Sequence, residues 1–146
     1  MEELYINCEN GCRLAIYDIV MEDLGFSAKV FLKSDWYEAT VPFKSSQDRL
    51  VDFLEGLKKI LLENHGKANF INDEGNFDLD ISLNEFTGKV QINGILIKSM
   101  MDDSRIEYFM ESDYLGVEKL KDNLISLIGG SLWGYGTCLR LGLDCI

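Results

Sequence analysis

The chain has 146 residues, 47% of them hydrophobic and 27% charged, which supports one packed domain able to bury roughly two-thirds of its unfolded surface. Its 25 acids against 14 Lys and Arg leave a net charge of -11, which repels phosphate backbones and anionic membranes. No basic stripe appears, so direct nucleic-acid binding is excluded as an expectation and a basic partner is the favourable electrostatic match.

The N-terminus, MEELYINCEN, has acids where a secretory leader needs a basic and then an apolar stretch, and no apolar run approaches the roughly 18 residues of a membrane span. A cytoplasmic protein is expected, with its four cysteines as thiols. Period-two alternation marks strands at Leu4 to Cys8, Arg13 to Ile19, Phe26 to Leu32 and Trp36 to Phe43. Asn10-Gly11 and Ser34-Asp35 supply hairpin turns, the first of them placing Cys8 opposite Cys12. Pro42 suits a strand end or edge.

After Lys44 the period becomes helical, with Leu50, Phe53, Leu54, Leu57, Ile60 and Leu61 on one side. Ser45 or Ser46 is placed to cap this helix, Asp48 favours its first turn, and Asn64-His65-Gly66 ends it. Further strands are predicted at Lys67 to Asn72, Phe77 to Leu83, Lys89 to Lys98 and Arg105 to Glu111, with a bulge at Asn93-Gly94. A second helix is predicted over Val117 to Ile128, stopped by Gly129-Gly130. The expectation is an α+β fold: a twisted antiparallel sheet of about eight strands with two helices on one face, in a single domain over 1–146. Residues 129–146 are glycine-rich and apolar, either a short strand or an irregular extension.

The stretch NDEGNFDLD, Asn72 to Asp80, holds four acids and two asparagines in nine residues, which raises a hard-cation loop as a reading. An EF-hand loop needs glycine at its sixth position and a bidentate Glu at its twelfth; here these are Phe77 and Leu83. The stretch therefore reads as a turn opening into a strand, with Phe77, Leu79, Ile81 and Leu83 inward and Asp78 and Asp80 outward. C-x3-C and C-x6-C spacings are a poor match to structural zinc knuckles, so no metal or cofactor is expected. No G-x-S-x-G, H-E-x-x-H or phosphate loop occurs, and His65, the single histidine, reads as a helix-terminal group. A small hydrolase or a ligand-binding module of unknown substrate stands as the alternative class.

Charge placement is the distinctive feature. Five acids and no Lys or Arg lie between Ala68 and Gly88, and six acids against Arg105 alone between Met100 and Glu118. Asp78, Asp80, Glu107 and Glu111 alternate outward on their strands with Phe109 among them, and Phe31 and Trp36 are candidates for the same uncovered face. Acids framing exposed aromatics make Asp78, Asp80, Glu107, Glu111, Phe109 and Trp36 the candidate partner-binding residues.

The element order, running from LYINCENGCRLAIYDI through GFSAKVFLKSDWYEATVPF, DRLVDFLEGLKKIL and GKANFINDEGNFDLDISLNEFTGKVQINGIL to a late strand and helix, resembles bacterial immunity proteins of the WapI type. The resemblance spans about Leu4 to Ile128; the chain departs from the type at Asp113-Tyr114-Leu115 and beyond Gly129. It implies a non-enzymatic cytoplasmic antidote that binds the C-terminal domain of one cognate WapA-like toxin, commonly a nuclease acting on tRNA. A nuclease needs a basic cleft for its substrate, which an acidic protein can fill.

Overall fold

The computed structural model describes residues 3–99 and 104–129; the 129–146 extension, from 130 onward, lies outside the described residues. Strands β1 (Leu4–Asn7), β2 (Arg13–Met21), β3 (Gly25–Lys33) and β4 (Glu38–Ser46) form one antiparallel meander. Helix α1 (Gln47–Glu63) follows, then β5 (Lys67–Ile71), β6 (Phe77–Leu83), β7 (Val90–Ser99) and β8 (Ser104–Ser112) form a second meander, and α2 (Tyr114–Gly129) ends the described chain. The α+β class and the eight strands agree with the expectation; the single sheet does not. The described residues form two four-stranded sheets, in orders β1-β2-β3-β4 and β5-β6-β7-β8.

The outer edge of β4 shows why the sheets stay separate. Pro42 has no N–H to offer a ladder. Its carbonyl and that of Lys44 accept hydrogen bonds from the side chains of Asn76 (3.2 Å) and Asn72 (3.0 Å) instead of from a fifth strand.

Period-two burial builds both inner faces. Phe26, Ala28, Val30 and Leu32 of β3 are buried, as are Phe77, Leu79 and Ile81 of β6, while Leu83 is only partly so. Phe43 meets Phe77 across the sheets with ring centroids 5.0 Å apart, and Phe26, Phe53 and Phe70 complete an edge-to-face and tilted cluster. Each such pair adds about 0.5–1.5 kcal/mol beyond area burial. One core thus serves both sheets and the helices.

Helix α1 buries Leu50, Val51, Phe53, Leu54, Leu57 and Ile60, and touches β3, β4, β5 and β6, so it packs on both sheets rather than on one face of a single sheet. Its N-cap is Ser46, but the side chain makes no capping bond. Gln47 instead donates to the carbonyls of Glu22 and Gly25, anchoring the helix start to the β2–β3 turn. Asn64 ends the helix in the left-handed conformation that the C-terminal position favours. Helix α2 begins one turn earlier than the periodicity predicts, because Asp113 caps it by accepting from Gly116 N–H at 2.8 Å. It packs on α1 and β1, and Tyr114 donates to the Leu61 carbonyl.

The expected bulge at Asn93-Gly94 is absent: pairing runs unbroken through Leu79↔Gly94 and Gly94↔Tyr108. The glycine is needed for close approach instead, since a Cβ at 94 would fall on the Asp78 carbonyl and 2.6 Å from the Tyr108 hydroxyl. Register shifts lie between Ile97 and Ser99 and between Tyr17 and Val20, where Asp18 has φ 51°.

Candidate functional site

The β5–β6 turn settles what NDEGNFDLD does locally. Asn72 is 1% exposed and fully engaged: its amide nitrogen donates to Lys44 O and Asn76 Oδ1, and its oxygen accepts from Phe77 N–H. Asp73 pairs with Arg49 at 2.7 Å, and Arg49 also donates to the Ile71 carbonyl. The turn is an inter-sheet clasp in which Asn72, Asp73 and Asn76 are engaged in structure. Among the described residues no three His, Cys, Asp or Glu side chains converge as a metal site would require.

Beyond the clasp the outward side chains of the second sheet line up in cross-strand rows. Ile71, Asp78, Ile95 and Glu107 form one row, Asn69, Asp80, Asn93 and Phe109 the next, and Lys67, Ser82, Gln91 and Glu111 a third. Alternation therefore puts Asp78, Asp80, Glu107, Phe109 and Glu111 on one face. The first two rows border an open groove of about 500 Å³, to which Tyr108 and Gly94 contribute from beneath.

The four acids on this face differ in compensation. Glu107 is paired with Arg105 at 3.3 Å, and Glu111 with Lys89 at 3.6 Å, which also holds Glu9. Asp78 and Asp80 have no cation partner among the described residues; both accept from the single amide nitrogen of Asn69, at 3.2 and 2.6 Å. Burial, and then the adjacent Asp80 charge, raise Asp78 above its ordinary pKa, an effect the Asn69 hydrogen bond partly offsets. Beneath them Tyr108 donates to the Asp78 carbonyl at 2.6 Å, and burial, with the charges of Asp78 and Asp80, pushes its phenol well up. The sheet thus presents two half-buried carboxylates side by side, ringed by Phe109 at 60% exposure and Ile95.

Trp36 does not join this face. It sits in the β3–β4 turn of the first sheet, 92% exposed, because β4 begins only at Glu38; it does not open the strand as expected. Meander connectivity puts this turn at the same end of its sheet as the β1–β2 turn. The Lys89–Glu9 ion pair joins the β1–β2 turn to the β6–β7 turn, where Phe86 is 98% exposed. Trp36 and Phe86 therefore mark the hairpin-tip end of the molecule, which Glu111 approaches through Lys89, rather than the two rows that hold Asp78 and Asp80. Phe31 lies on the outer side of β3, in the first sheet, and is likewise apart.

Asn69, Asn93, Ile95 and Tyr108 are members of the site that the sequence reading missed. Counting back from the Asn72–Phe77 turn closure pairs Asn69 with Asp80, a signal present in the hairpin length. Tyr108 had no such signal, because its role depends on the missing side chain at Gly94, the residue directly opposite it on β7.

Among the described residues the hydrolase reading gains no constellation. His65 is exposed just past the end of α1 with its Nε2 3.7 Å from the Glu63 carboxylate, while Cys8 and Cys12 lie in the β1–β2 hairpin. No helix among the described residues is long and apolar enough to cross a membrane. No protein-family model, curated protein or solved structure matches this chain.

Proposed function

We propose that this chain is an acidic immunity protein of the WapI type, which binds the C-terminal domain of one cognate toxin and neutralises it by occluding its active site or substrate groove. The observation that carries the reading is the Asp78–Asp80 pair: two adjacent, half-buried carboxylates with no cation among the described residues, beside an exposed phenylalanine. Such a pair is an incomplete electrostatic arrangement that a basic partner completes. The partner is a basic nuclease domain, because a surface built to hold a polyanion is complementary to this one. In this reading the protein acts in the cytoplasm, carries no cofactor and catalyses nothing.

Phe109 and Ile95 supply the apolar contact, and Glu107 and Glu111, already paired, form the rim where charge steers encounter more than it adds affinity. A ligand-binding module is the second reading, favoured by the groove volume of about 500 Å³, which falls in the range of small-molecule sites. The groove is open and acid-lined, whereas the apolar cavity between Leu4, Phe53, Phe70 and Leu120 holds only about 20 Å³, too little for a ligand.

Co-expression with the toxin domain encoded beside its gene is the test. Restored growth, with a stable complex on gel filtration, is the expected result. Unrelieved toxicity and no complex would overturn the proposal.

A further inference from the structure

We propose that Cys8 and Cys12 are a modification site: a dithiol that closes to a cross-strand disulfide by exchange with a low-molecular-weight disulfide of the glutathione class. The hairpin geometry points to this site independently of the proposed function. The β1–β2 ladder pairs Ile6 with Leu14 and Asn7 with Arg13, so the next facing positions are Cys8 and Cys12. The Cys8 N–H donates to the Cys12 carbonyl at 3.0 Å, and the one-turn Glu9–Gly11 segment closes the hairpin with Gly11 at φ 75°.

Facing residues of an antiparallel pair have Cα atoms about 4.5–5.5 Å apart, inside the roughly 4.4–6.8 Å that a disulfide spans. Period two also puts both thiols on the same inward side as Ile6 and Leu14, and both pack against the core while staying half exposed. They are thus near each other, similarly directed and open to a small reagent. Burial, and then the nearness of Cys12, push Cys8 up to about 12. Cys8 is accordingly a scarce thiolate at neutral pH, and the proposed sequence starts at Cys12.

In that step the Cys12 thiolate bonds to one sulfur of the small disulfide, whose S–S bond breaks to release one thiolate, which takes up a proton. The Cys8 sulfur, on losing its proton, then attacks Cys12 Sγ and expels the second small thiolate. Two protein thiols are oxidised and one small disulfide is reduced to two thiols. Closure tightens the tip carrying Glu9, whose carboxylate reaches Lys89 of the second sheet at 3.4 Å.

The test uses the full chain with Cys138→Ser and Cys145→Ser, equilibrated without oxygen across a range of reduced to oxidised glutathione ratios in native buffer. It is then acid-quenched, alkylated and mapped by peptide mass. The expected result is a bridged Cys8–Cys12 peptide, both thiols disappearing together, unchanged far-ultraviolet circular dichroism and a melting temperature a few degrees higher. A Cys8→Ser version should instead hold glutathione on Cys12. Thiols that stay alkylatable across the whole range, separate glutathione adducts in place of the bridge, or a bridge that forms only with loss of the native spectrum would each overturn the assignment.

Discussion

Asn72 reaches from the second sheet to the first, donating its amide to the Lys44 carbonyl at 3.0 Å while its oxygen accepts the Phe77 N–H at 3.0 Å. The bond closes the gap between β4 and β6 that the Phe43–Phe77 contact fills from the inside. Asn72→Ala strands polar groups in a buried place and should lower unfolding free energy by about 3 kcal/mol. Asp73→Ala, which removes only an exposed ion pair to Arg49, should change it by less than about 1 kcal/mol. Urea denaturation of the two variants measures the contrast.

Gly94 and Tyr108 make a second such pair. Gly94→Ala drives a methyl into the Asp78 carbonyl and the Tyr108 hydroxyl, so it should destabilise by more than about 3 kcal/mol and lower the yield of folded protein. Tyr108→Phe removes one hydrogen bond to Asp78 O and should cost about 1–2 kcal/mol. Chemical denaturation ranks the two.

The strands and helices were largely legible because alternation and helical period are written directly in which residues are apolar: Phe26 to Leu32, Phe77 to Ile81 and Leu50 to Leu61 all bury the side expected. The division into two sheets was not legible. It depends on the Asn72 and Asn76 side chains taking backbone acceptors of β4, a contact between residues about 30 apart that no local pattern announces. The same limit separates Trp36 from the acidic rows, since alternation assigns a residue to a face of its own strand but not to one of two sheets. The placement of Asp78, Asp80, Glu107, Phe109 and Glu111 on one face needed only alternation and hairpin register, and those were readable.

Asp78 should reveal itself in the pH dependence of stability. Its folded pKa is raised, so the folded chain holds this proton more tightly than the unfolded chain does. Its contribution therefore favours the fold at acid pH and is lost as pH rises from the unfolded value through the folded one. Asp78→Asn removes this dependence: its urea midpoint relative to the parent should be higher at pH 7 than at about pH 4, near the ordinary aspartate value. An equal offset at both pH values would show that Asp78 ionises as freely folded as unfolded. A carboxylate kept where it opposes stability fits a role in binding.

Phe109 and Trp36 are both exposed, but only Phe109 borders the Asp78–Asp80 groove. Phe109→Ala should raise the dissociation rate of the toxin-domain complex about tenfold or more, equivalent to about 1.4 kcal/mol. Trp36→Ala should leave that rate within about twofold, as expected of residues outside the contact. Surface plasmon resonance of both variants decides, and the reverse ranking would move the interface to the hairpin-tip end.

The central claim, that the outward face of the second sheet receives a basic toxin domain, is tested most directly by association kinetics of the double variant Asp78→Lys, Asp80→Lys against the toxin domain that the proposal requires. Stopped-flow measurement over a range of salt concentrations should show association slowed about tenfold or more at low salt, with a flatter salt dependence, while circular dichroism stays native. Association at the parental rate with the parental salt dependence, in a protein of native spectrum, would contradict the account and place the partner on another surface.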